Sequence, residues 1–306
     1  MWQRMPDNTP TSSPTVQFSV IIAVYNDWAP LEGCLQSLDR QTSSSKFEVI
    51  IVDDGSEQTV PESIRGRKSF YPLILIEHPH SGIASARNRG IQDATGSVLV
   101  FTDADCRLQP NCMANLSIAI LNSPKEDYFQ FNLTGDRSTL VGQAEQLRLR
   151  AIQKKTLQPD GRIRYLNTAG FAIRRSRVDV ENGLFNPVAL RSEDTLLLVD
   201  LIQRGELPLF VDEAVVQHSI SLPLLSCMRK DIVSAWLEAR TFALIHATGV
   251  QVRMSHQERI GMLSSTWKTT SHDSIGRTAW FVLVVRQSIQ RVITFGYRLL
   301  HLALEN

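Results

Sequence analysis

The sequence predicts an α/β protein, and three observations carry that prediction. Short apolar, β-branched runs alternate with segments of helical apolar spacing, several of those runs close on polar turns rich in aspartate, and only helical spacing remains from Pro223 onward.

Residues 1–17, rich in Pro, Ser, Thr and Asn, read as a flexible tail. Phe18 to Val24 is an unbroken apolar run of the kind found in strands buried on both faces, and it closes on Tyr25, Asn26 and Asp27. Leu31, Leu35 and Leu38 then form one stripe of a helix. Phe47 to Val52 repeats the buried-strand pattern and ends in Asp53-Asp54-Gly55-Ser56. Leu73 to Ile76 is a third strand, Ile83 to Ala94 a helix, and Ser97 to Thr102 a fourth strand. This alternation implies parallel βαβ units with right-handed crossovers, which set functional loops at the carboxyl ends of the strands.

Beyond Pro110 the spacing predicts helices over 112–121 and 141–155 and strands near 128–133, 167–173 and 208–216. A helix over 193–204 follows, capped by Ser192, with Glu193 and Asp194 in its first turn. The resulting organisation is an α/β domain over 18–222 and a helical region over 223–306.

Composition limits the function classes. Apolar residues make up 43% and charged residues 21% of the 306, the usage of an ordinary globular chain with a sizeable core. A net charge of +1 supplies no whole-chain field to gather nucleic acid, so no nucleic-acid partner is expected. Cys34, Cys106, Cys112 and Cys227 form no CxxC pair, which suits reduced thiols. The first residues lack the apolar core of a secretory signal, and no stretch reaches the roughly 18 uninterrupted apolar residues of a spanning helix. The expected location is cytoplasmic, either soluble or peripheral on the cytoplasmic face of the membrane.

The most informative cluster is Thr102-Asp103-Ala104-Asp105. Its two carboxylates sit two residues apart, directly after a buried strand, and as hard oxygen donors they suit Mg²⁺ or Mn²⁺. Such an ion would neutralise the charge on a departing diphosphate. An aspartate after a strand is also ordinary turn chemistry, and both readings stand at this point. Asp53 and Asp54 occupy the same kind of position, where a carboxylate accepts from a ribose hydroxyl or a base N–H, or simply builds an Asp-Gly turn. Ser81-Gly82 opens a helix with small residues, so Gly82 and Arg87 could face phosphate oxygens; equally, Arg87 could serve a structural ion pair. His218 follows a strand and could be a metal ligand or a structural histidine, whereas His78 and His80 show no pairing with these motifs.

Taken in order, Val20 to Asn26, Val49 to Ser56, Gly82 to Gly90, Leu99 to Asp105, Asn167 to Arg175, Gly183 to Phe185, Ser192 to Asp194 and Val215 to His218 resemble the inverting family 2 glycosyltransferases. The resemblance covers roughly residues 18–220. It implies a GT-A fold, a Rossmann-like mixed sheet flanked by helices, here with a C-terminal helical appendage. It also implies a nucleotide-sugar donor, a UDP-sugar first among candidates, and a saccharide or lipid-linked acceptor. By that resemblance Tyr25, Asp53 and Asp54 hold the nucleoside, Asp103 and Asp105 form the metal motif with His218, and Asp194 is the general base beside Glu193. Two features limit the resemblance. Asp200 stands near where many relatives carry arginine, and the Arg174-Arg175 pair, though it fits the pattern, receives no contact.

In the last helical segment, Arg286, Gln287, Gln290, Arg291, Thr294, Arg298 and His301 project to one side, and Ile289, Val292, Ile293, Phe295, Leu299 and Leu300 to the other. Residues 279–302 therefore either make a peripheral contact with an anionic membrane or pack on the domain or a second subunit. Two other functions fit parts of the sequence: a GT-A domain acting only as a scaffold, and a nucleotidyltransferase. The retained aspartates argue against the first, and the missing basic glycine-rich signature against the second.

Overall fold

A computed structural model describes residues 17–304 apart from 44, 220–222 and 253; of the tail expected at 1–17, residues 1–16 lie outside the described residues, as does the boundary near 222. The first half follows the strand and helix alternation: β1 (Phe18–Val24), α1 (Trp28–Leu38), β2 (Phe47–Asp53), α2 (Glu62–Arg65), β3 (Leu73–Glu77), α3 (Ile83–Asp93) and β4 (Val98–Phe101). Next come β5 (Cys106–Leu108), α4 (Cys112–Asn122), β6 (Tyr128–Gly135), α5 (Leu140–Thr156), a 3₁₀ turn at Thr168–Gly170, β7 (Phe171–Arg174), a second 3₁₀ turn at Arg175–Arg177, α6 (Glu193–Arg204) and β8 (Leu209–His218).

The strands form one eight-stranded sheet in the order β3-β2-β1-β4-β7-β6-β8-β5. β1, β2, β3 and β4 are mutually parallel, so their carboxyl ends share one edge. Antiparallel β7 then separates β4 from β6 and makes the sheet mixed. Alternation within β1 shows why its run is apolar throughout. Val20 and Ile22 enter the core beneath α1 and α4, while Ile21 enters the opposite core against α3 and α6.

Two local expectations are corrected, and two short elements are added. The predicted strand at 167–173 is a 3₁₀ turn followed by a strand of four residues. The three-residue β5 and four-residue α2 are too short to carry a periodicity. Ser192 occupies the N-cap position of α6 in the left-handed region, at φ 63°, but its side chain makes no capping hydrogen bond. Instead an Asp194 carboxylate oxygen accepts from the Thr195 N–H at 2.6 Å.

From Pro223 the chain is helical as expected: α7 (Leu224–Ala247), α8 (His256–Thr270) and α9 (Ser274–Leu304). α9 lies against α5 and α7, burying Val282 and Leu283 beside Ala144. The sequence put Arg286 and Gln290 on the polar side of the helix, and that side turns inward. Arg286 pairs bidentately with buried Asp231 of α7 at 2.6 and 2.9 Å, and Gln290 reaches the same carboxylate at 3.4 Å. Opposite them, Val292 and Phe295 are 71% and 63% exposed. Among the described residues no helix is long and apolar enough to cross a membrane. All four cysteines are buried, and none is in a disulfide.

Candidate active site

The parallel strands deliver the acidic turns to one edge. At the end of β1, Asn26 adopts φ 57°, a left-handed conformation that asparagine tolerates. Its side-chain oxygen accepts from the Glu57 N–H at 2.9 Å, and its own N–H donates to the Ser56 hydroxyl, so the β1 and β2 turns are laced together. Asp53 accepts from the Ser56 N–H at 2.9 Å, the Asx turn its position allowed. A Cβ on Gly55 would lie 2.6 Å from the His80 backbone nitrogen, so only glycine fits that crossing.

Asp54 is buried at 3% exposure and organises its neighbours. Its two carboxylate oxygens accept from the N–H groups of Ser81 at 2.9 Å and Gly82 at 3.0 Å, and His80 Nδ1 lies 3.0 Å away. The ring of His80 stacks on Tyr25 with centroids 4.3 Å apart. The expectation that His80 has no pairing with the motifs is therefore overturned. Two residues with no sequence link share a platform, and Asp54 fixes one of them.

Among the described residues Arg87 is the largest fully buried side chain, at 1% exposure. Nη2 donates to Asp103 at 2.7 Å, and Nη1 makes a short bond to Glu193. The guanidinium also lies over the Phe185 ring at 5.6 Å. This is the ion-pair alternative, not the open phosphate contact: Arg87 spans the turn after β4 and the start of α6. Asn88, the next residue, holds the loop at Gly183–Phe185 by accepting from the Leu184 and Phe185 N–H groups.

Beside that bridge, Asp194 keeps some solvent contact, but its carboxyl is pushed up to about 7. Burial is the larger cause and the Glu193 charge the second, and both outweigh the lowering by Arg87. At neutral pH such a group divides between carboxylate and acid.

Asp103, Asp105 and Cys106 bring ligand atoms within 4.8 Å of one another. Burial raises the Cys106 thiol well above its ordinary range, and a thiolate is a soft donor that Mg²⁺ and Mn²⁺ do not select. His218 is a better third donor. The pairing of β5 with β8 sets Cys106 opposite His218, whose Nε2 lies 3.2 Å from Asp105. Its Nδ1 is 3.9 Å from buried Glu145 of α5, itself bonded twice by Arg148. Burial opposes the imidazolium, but the Asp105 and Glu145 charges prevail and raise His218 to about 9. Two carboxylates and an imidazole suit Mg²⁺ or Mn²⁺ by donor type.

The structure adds two residues that sequence reasoning missed. Asp27 at the start of α1 has a raised pKa, first from desolvation and then from the Asp105 and Asp103 charges, and Lys230 of α7 opposes that rise. Lys230 also lowers Asp105. Asp27 closes the turn after β1, so its position was a readable signal. No local pattern marks Lys230.

This architecture is shared by solved glycosyltransferases of the GT-A type. TarS 1–349 of S. aureus, solved in complex with UDP, superposes with a TM-score of 0.54 at 18% identity over 92% of this chain and 91% of that one. The mannosyltransferase PcManGT from Pyrobaculum calidifontis, solved with GDP-Man and Mn²⁺, gives 0.57 at 18% identity over 98% and 83%. At that identity the likeness is one of fold.

The sequence itself fixes the family. The glycosyl transferase family 2 profile matches residues 19–181, more than half of the chain, and the protein belongs to that family. Among curated relatives, glycosyltransferase AglE of Haloferax volcanii is 42% identical over 91 residues. That match spans 29% of this chain and 30% of the relative, less than a third of either.

Proposed function

We propose that the protein moves a sugar from a nucleoside-diphosphate donor, a UDP-sugar first among candidates, onto a hydroxyl of a saccharide or lipid-linked saccharide, with inversion. Membership of family 2 supports the reaction class. The single observation that carries the site assignment is the buried Arg87 bridge, which ties Asp103 of the acidic motif to Glu193, the neighbour of Asp194.

In this reading Asp194 is the general base. The acceptor hydroxyl gives its proton to the Asp194 carboxylate while its oxygen bonds to the anomeric carbon. The bond from that carbon to the diphosphate oxygen breaks, and the nucleoside diphosphate departs with the electron pair. Burial first, and the charge of Arg87-held Glu193 second, keep the base near neutrality. Asp103, Asp105 and His218 would hold Mn²⁺ or Mg²⁺, which when bound neutralises charge on the leaving diphosphate. Tyr25, backed by His80, offers a ring face to the base of the nucleotide. Asp53 and Asp54 shape the nucleoside side of the cleft, and Gly82 keeps the start of α3 free of a side chain. Arg87 is a positioning residue. A lipid-linked acceptor would be met through a peripheral membrane contact of residues 279–302.

The test is donor hydrolysis: slow, Mn²⁺-dependent release of nucleoside diphosphate, abolished by chelator and by Asp105→Ala. A folded protein that turns over no common nucleotide-sugar would instead be a scaffold.

A further inference from the structure

The C-terminal helices carry an apolar surface that the catalytic reading does not use. On α9, positions 277, 281, 288, 292 and 295 fall on one stripe at helical spacing, opposite the inward-facing Arg286 and Gln290. Phe281, Val292 and Phe295 on that stripe are 63%, 71% and 63% exposed. On α7, Leu225, Ile232, Val233 and Trp236 form a second exposed stripe. An exposed apolar stripe such as that of α9 marks an interaction site.

We propose that this outward stripe of α9 docks the protein on an anionic lipid bilayer, a proposal that rests on the peripheral contact proposed for residues 279–302 and assigns it a face. The embedded side is the apolar outer one, because Asp231 has drawn Arg286 and Gln290 inward.

Charge complementarity selects the occupant. Residues 223–306 contain ten Lys and Arg against five Asp and Glu, although the whole chain carries only +1. Arg277 stands exposed on the α9 stripe, Arg291 flanks it half-buried, and Arg240 lies over the Trp236 ring at 5.1 Å. Apolar and aromatic side chains rimmed by arginine match the boundary between acyl chains and acidic headgroups. A two-fold pairing of this face with a second copy would bring basic rims together, which disfavours that occupant.

The experiment uses the full chain with vesicles of phosphatidylcholine alone or mixed with phosphatidylglycerol, read by co-sedimentation. Wild type is expected to partition onto the mixed vesicles, more weakly with added salt. The combined variant Phe281→Ser, Val292→Ser, Phe295→Ser should lose at least about tenfold in partitioning, on the order expected from removing buried apolar area. Arg277→Ala with Arg291→Ala should lose severalfold on mixed vesicles only. None of these residues lies in the cleft, so Mn²⁺-dependent release of nucleoside diphosphate should stay at wild-type values in both variants, as should thermal unfolding of the serine variant, whose three positions are exposed. Failure of wild type to bind mixed vesicles, equal binding by the serine variant, or a wild-type dimer in light scattering that the serine variant dissolves would each overturn the proposal. Loss of nucleotide release with vesicle binding intact would count against the enzymatic reading alone.

Discussion

Arg87 and Arg286 are both inward-facing arginines paired with carboxylates, and they do different things. Arg286 meets one buried aspartate in a bidentate pair, a local neutralisation that fastens α9 to α7. Arg87 meets two carboxylates from elements 90 residues apart in sequence, and beside one of them a third carboxyl stays poised near neutrality. A matched pair holds helices together, whereas an arginine outnumbered by acids sets the charge state of a cleft. The sequence left Arg87 between a phosphate contact and an ion pair, and set Arg286 on the polar side of its helix. In both cases a carboxylate supplied by tertiary structure turned it inward.

This contrast can be broken by substitution. The largest effect is expected at the poised group: Asp194→Asn should keep donor binding, measured by titration calorimetry, while transfer falls by about 10²–10⁴, the usual contribution of a general base. Loss of donor binding as well would remove the base assignment. Arg87→Met leaves Asp103 and Glu193 uncompensated and should cost about 3–5 kcal/mol in chemical denaturation. It should also raise the pH at which turnover begins, since Arg87 lowers the Asp194 pKa. Arg286→Met removes a single charge-assisted pair and should cost about 1.5–3 kcal/mol with nucleotide release unchanged. If the two methionine variants behave alike, the distinction drawn between the arginines fails.

Smaller effects sharpen the comparison. Asp194 has a folded pKa of about 7 against 3.8 for the free side chain, so its contribution to stability is fully present below 3.8 and is lost as pH rises through 7. Thermal unfolding of wild type relative to Asp194→Asn should therefore decline across that window. Turnover, which needs the carboxylate, should rise through it. His80→Ala removes the ring stacked behind Tyr25 and should weaken nucleotide binding only about two- to tenfold, the range of one aromatic contact.

Much of the fold could be read from the chain because β1, β2 and β4 are buried on both faces, and burial of that kind leaves an unbroken apolar run. Their aspartate-rich ends could be read for the same reason: polar residues directly after such a run must lie at a strand terminus. Elements without periodicity stayed hidden, β5 with three residues above all, although β5 is what places Cys106 opposite His218. The site was legible as a set of residue types but not as a set of partners. Nothing near His80 signals Tyr25, and nothing near Lys230 signals Asp105, because those meetings depend on register and helix docking. The amphipathic pattern of α9 was correctly seen, yet its orientation required knowing that Asp231 waits on α7.

The central claim, that the carboxylates of Asp103, Asp105 and Asp194 serve one cleft, is tested most directly by a crystal structure with nucleoside diphosphate and Mn²⁺, with the ion located by anomalous scattering. The account predicts a manganese peak bonded to carboxylate oxygens of Asp103 or Asp105 and to the diphosphate, with the Asp194 carboxylate facing the same cleft. A peak held elsewhere, or a diphosphate on a surface that Asp194 does not face, would contradict it.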